Sequence, residues 1–169
     1  MNTSITDAKS IVLVIALLCG LLAPVFGSIV LFLLARLNAG GEVTLAPGVT
    51  PMPWPMWLAG VSVYALVSSG PPAALLGAVG ASLVLGLRRR GARSVIVAPA
   101  SALLGVIAGV LCMMVPLAFS SPWLGRQEAL AAIRRVGLDP GNPYMMAAAV
   151  TGMFFGLGIW LVVGRQHTG

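Results

Sequence analysis

The side chains with chemistry to offer are few and widely separated: one histidine, His167, two cysteines, Cys19 and Cys112, four acidic and ten basic residues in a chain of 169. Metal coordination and acid–base catalysis need convergent sets of such groups. His167 lies near the C-terminal end with no second ligand beside it in sequence, so neither a metal site nor a haem site is expected. Thiol exchange would use a closely spaced pair near one surface. Cys19 and Cys112, counted from the inner ends of the apolar runs that hold them, lie about 12 Å and about 25 Å deep. A disulfide needs Cα atoms within about 7 Å, so the two are read as packing residues. Ser68, Ser69, Ser101, Ser120 and Ser121 sit near helix breaks or span ends without a histidine or carboxylate to activate them. Capping and interhelical hydrogen bonds explain them. No catalytic residue, cofactor or metal is expected, and the chain is not read as an enzyme.

The elements that carry these residues follow from composition. With 59% hydrophobic and 8% charged residues, and a mean hydropathy of +1.01, the chain has too little polar matter to coat a water-soluble globule. Four runs, residues 11–35, 57–87, 95–119 and 144–163, contain no Asp, Glu, Lys, Arg or His. Each is long enough to cross a hydrocarbon core of about 30 Å as a helix. None shows the apolar–polar alternation of a membrane strand. The expectation is an all-α polytopic membrane protein with four transmembrane helices in a single domain over residues 1–169. The first run resists reading as a cleaved export signal: Leu18 precedes Cys19 where a lipoprotein site needs a small residue, and the apolar stretch continues to Ala35.

The second run is overlong, since 31 helical residues at 1.5 Å each would reach about 46 Å. Gly70, Pro71 and Pro72 offer the place to relieve that length, because prolines remove backbone donors and clash with the preceding turn. A single crossing kinked or broken at Gly70–Pro72 is expected, with residues 57–69 continuous with it, interfacial or re-entrant.

Orientation follows from the cations. Arg88, Arg89, Arg90 and Arg93 form the densest basic loop, which the positive-inside tendency assigns to the cytoplasm. Four crossings then put both termini inside, with Lys9 and Arg165, against Arg36, Arg126, Arg134 and Arg135 outside. Trp54, Trp57, Trp123 and Tyr144 gather at the outer level, as interfacial aromatics do. A short interfacial helix is expected over residues 122–136 of the last outer loop, capped by Ser121 and Pro122 and ended by Gly137, with Asn142 and Pro143 opening the fourth span. The arginine loop suits anionic lipid headgroups, and nucleic acid is not an expected partner.

Close helix contacts in lipid depend on small residues at four-residue spacing. Each run has such a row: Cys19, Ala23 and Gly27; Ala74, Ala78, Ser82 and Gly86; Ser101, Gly105 and Gly109; Ala148, Gly152 and Gly156. The last two, with Gly105, Gly109, Gly152 and Gly156, are the strongest candidates for helix packing. An ion-coupled carrier usually keeps an Asp, Glu or His within the membrane, and the four runs have none.

The stretch Gly70-Pro71-Pro72-Ala73-Ala74-Leu75-Leu76-Gly77, followed by Arg88-Arg89-Arg90, resembles the Pro-Ala-Leu-Leu-x-Gly stretch of uncharacterised small inner-membrane proteins of bacteria. The resemblance covers the second span and implies a bacterial inner-membrane location, with no catalytic role. The abundance of Arg, Ala and Gly agrees with a bacterial source. Two functions are open: a non-enzymatic structural or accessory subunit, associating with a membrane-protein partner or as a homo-oligomer, and an uncoupled pore or small-solute facilitator built around the Gly-Pro-Pro helix break.

Overall fold

A computed structural model describes residues 5–38, 53–91, 94–119 and 141–165. Among these every regular element is a helix: α1 (Ile5–Asn38), α2 (Trp54–Arg89), α3 (Ser94–Phe119) and α4 (Pro143–Arg165). Each is long and apolar enough to span a membrane. The expected helix over residues 122–136, with Ser120, Ser121 and Trp123, lies outside the described residues, as do Arg93 and His167.

The helices outrun the charge-free stretches because charge does not end a helix. α1 passes through Asp7 and Lys9 at one end and Arg36 at the other. Local chemistry supplies the ends. Pro53 is the N-cap of α2, in an extended conformation, and its carbonyl accepts from Met56 and Trp57 at 3.0 and 3.1 Å. At the other end the Arg90 N–H reaches the Gly86 carbonyl and Gly91 turns the chain at φ +77°, a region glycine enters without a Cβ penalty. Asn142 opens α4 as expected: its side-chain oxygen accepts the Tyr144 N–H at 2.9 Å, and Pro143 takes the first helical position.

α2 is helical without interruption through Gly70, Pro71 and Pro72, so the chain is not broken there and residues 57–69 continue the same helix. At 1.5 Å per residue its 36 residues reach about 54 Å. α1 also contains a proline, Pro24, which removes the donor that would have closed on the Gly20 carbonyl.

The four helices alternate in direction. α1 packs along α2 and α3 along α4, and these two antiparallel pairs meet through α1 with α4, α2 with α3, and more narrowly α2 with α4 across a diagonal. Among the described residues α1 and α3 are the one pair that does not pack. Two apolar clusters hold the pairs together. At the arginine end are Ile15, Cys19, Ala81, Val84, Val97 and Val163; at the opposite, tryptophan end are Leu31, Phe32, Trp57 and Ala147. The Phe32 ring lies 5.5 Å from that of Trp57, and Phe26 meets Phe154 edge-on at 5.6 Å.

Residue size sorts inside from outside. Gly70, Ala73, Gly77 and Ala81 are buried in α2, while Leu13, Leu17, Leu21, Val67, Leu75 and Leu103 are among the large apolar side chains left exposed. That is the pattern expected where lipid tails surround the bundle, because apolar burial gives helices no preference for one another there and close packing must supply it. Trp57, placed by its sequence position at an interfacial level, is turned into the bundle and is only 5% exposed.

Candidate functional site

The small-residue rows of α3 and α4 face each other in antiparallel register. A Cβ added at Gly105 would fall on the Gly152 carbonyl, one at Gly109 on the Ala148 carbonyl, and one at Gly156 on the Ser101 carbonyl. Gly152 meets the Gly105 carbonyl in return. The four glycines singled out in the sequence thus stand in a single seam where backbone lies on backbone.

The α1/α2 seam uses different residues from the row expected for α2. Of Ala74, Ala78, Ser82 and Gly86, Ala74 has a close contact with α1, at Gly20, whereas Ser82 is exposed and a Cβ on Gly86 would meet nothing within 4 Å. The working face is Gly70, Ala74, Gly77, Ala81 and Val84, spaced by fours and threes in turn. This is the 3.5-residue repeat of side-by-side packing, rather than a strict row of fours. In α1, Cys19 stands over Gly77, and Gly20 pairs with Ala74 and Gly70. Ala23 and Gly27 instead turn toward the space between the pairs, Gly27 facing Thr151 of α4. Gly70 sits 3.0 Å, measured from an added Cβ, from the Gly20 carbonyl that Pro24 leaves free. The proline-loosened turns of the two helices therefore lie at one level.

Between the seams lies a cavity of about 450 Å³ with walls from all four helices. Cys19, Ala73 and Gly77 border it on one side, and Gly105, Ala148 and Gly152 on the other. Its polar groups are neutral, chiefly hydroxyls. Ser28 donates to the Pro24 carbonyl at 2.9 Å, Ser68 to Tyr64 at 2.7 Å and Ser101 to Ala98 at 2.9 Å, so each proton is used within its own helix. Thr151 differs: its Oγ1 is buried and has no hydrogen-bond partner among the described residues. Cys19 and Cys112 both border the cavity as free cysteines.

Arg88, Arg89 and Arg90 close α2 at one end of the bundle, far along the chain from Gly70–Pro72. Among the described residues no three His, Cys, Asp or Glu side chains are grouped closely enough to hold a metal ion. Sequence reasoning missed Gly20, Gly77 and Thr151. Thr151 carried a signal, as the one threonine in the four charge-free runs. No protein-family description, curated protein or solved structure matches the chain.

Proposed function

We propose that this chain is a multi-pass protein of the bacterial inner membrane that acts without catalysis, as a structural or accessory subunit. The observation that carries this reading is the absence of Asp, Glu, Lys, Arg and His from residues 11–35, 57–87, 95–119 and 144–163, while small residues supply the contacts between helices. A membrane-protein partner or a second copy of the chain is the expected associate. The Arg88–Arg90 end, with Arg93, lies on the cytoplasmic side against anionic headgroups, and both termini share that side. The prolines at Gly70–Pro72 bend α2 and shorten its reach across the bilayer. Co-purification from the native membrane tests the role. A stoichiometric membrane partner or a homo-oligomer is expected, and a monomer that brings down no other membrane component contradicts it.

The cavity favours one second reading, a facilitator in which solute passes between the helix pairs. Against it stand the two apolar clusters, which lie toward either end of the bundle and would have to part. Vesicles containing the protein would then leak water or small solutes faster than empty ones, and equal rates rule this reading out for those cargoes.

A further inference from the structure

We propose that the cavity between the two helix pairs is a binding site for a neutral, lipid-soluble molecule with an accepting oxygen, to which the Thr151 hydroxyl donates. Three observations lead there. The first is size: about 450 Å³ lies within the range of small-molecule pockets, roughly 300–1,000 Å³. The second is charge. Among the described residues no acidic or basic side chain borders the cavity, so an ion brought there would lose its hydration without compensation. The ligand is therefore neutral and mostly apolar, matching walls such as Ala73, Leu104 and Phe155.

The third observation is Thr151. Helical serines and threonines commonly return their proton to a carbonyl three or four residues back. Ser28, Ser68, Ser82 and Ser101 all do so here. Thr151, 7% exposed, does not, and its oxygen faces the space that Gly27 leaves by having no side chain. A hydroxyl left unpaired in such surroundings is costly, and an accepting oxygen on a bound molecule removes that cost.

Depth selects the source of that oxygen. Thr151 lies eight residues into α4, which begins at Pro143, or about 12 Å along the helix from its end. In a hydrocarbon core about 30 Å thick that is near the middle, below the level of phospholipid ester groups. The ligand is accordingly a free molecule dissolved in the membrane, entering from the lipid.

The test uses benzophenone, an apolar ketone that attaches to nearby C–H bonds on illumination, with the full-length protein in lipid nanodiscs. Saturable labelling is expected at cavity residues on the level of Thr151, such as Leu104, which adjoins the Gly105 that faces Gly152. Thr151→Val, which keeps the shape and removes the hydroxyl, should weaken half-saturation by roughly three- to tenfold. Diphenylmethane, which lacks the oxygen, should compete weakly with the ketone on the native protein but on equal terms with it on Thr151→Val. Gly27→Leu, filling the cavity in front of Thr151, should abolish the saturable labelling; thermal unfolding shows whether each variant is folded. Labelling that never saturates, or that falls on outward residues such as Val67 and Leu75, overturns the site. Unchanged half-saturation in folded Thr151→Val overturns the role of the hydroxyl. A rise in labelling on replacing ester phospholipids by ether phospholipids would overturn the free-molecule assignment in favour of a phospholipid ester. None of these results bears on whether the chain co-purifies with a partner.

Discussion

In the α3/α4 seam a methyl added at Gly105 would land on the Gly152 carbonyl, whereas in the α1/α2 seam one added at Gly77 would meet the Cys19 side chain, its Cβ at 2.7 Å and its Sγ at 2.8 Å. The two pairs are thus close for different reasons. A carbonyl belongs to its helix's hydrogen-bond ladder and moves only if the helix moves. The Cys19 side chain can be removed by substitution, although its Cβ is fixed to the backbone and cannot turn away. The first seam sets backbone against backbone along its length; in the second, where Gly70 comes to 3.0 Å from the Gly20 carbonyl, a side chain fills the approach at Gly77, and it is the second that contains Pro24, Pro71 and Pro72. The cavity lies between this rigid wall and one in which a side chain intervenes.

The sharpest way to break this comparison is to force the rigid wall. Gly152→Val should separate α3 from α4 and cost more than about 4 kcal/mol, the range reserved for outright steric failure. Unfolding in mild detergent, followed by helical circular dichroism, reads that loss. Gly77→Ala should cost less, about 1–3 kcal/mol, the usual penalty for overpacking, because the methyl meets the Cys19 side chain rather than the carbonyl ladder of its neighbour. Gly20→Ala belongs at the lower end of that range, because its closest neighbour is the Ala74 Cβ at 2.9 Å and the Gly70 carbonyl is farther, at 3.2 Å. Gly86→Ala should reverse the sign. An added Cβ there meets nothing within 4 Å, so the better helix former should stabilise the protein by about 0.5–1 kcal/mol.

The same difference explains what could be read from the sequence. The four spans were legible because every Asp, Glu, Lys, Arg and His falls outside the apolar runs, and the α3/α4 seam because its small residues recur strictly every fourth position on both helices. The α2 face was not. Gly70, Ala74, Gly77, Ala81 and Val84 follow spacings of four and three in turn that a search for rows of fours passes over, selecting instead the exposed Ser82 and Gly86, where an added Cβ would meet nothing within 4 Å. Gly70-Pro71-Pro72 suggested a break on local propensity alone. In the bundle the helix passes through it, as packed neighbours and Ser side chains allow in spans. Helix ends also escaped the charge-based reading, since α1 extends beyond residues 11–35 on both sides. The cavity had no sequence signature beyond the isolated Thr151, because a void is set by how four helices are spaced and not by any one of them.

Whether the approach at Gly77 is limited by the Cys19 side chain and that at Gly109 by backbone is decided most directly by a pair of double-mutant cycles measured as unfolding free energies. Combining Gly77→Ala with Cys19→Gly removes the atoms that an added methyl would strike, so the second change should recover at least about 1 kcal/mol of the first. Combining Gly109→Ala with Ala148→Gly leaves the Ala148 carbonyl in place, so the coupling there should be near zero. Equal recovery in both cycles, or recovery only in the second, would contradict the account.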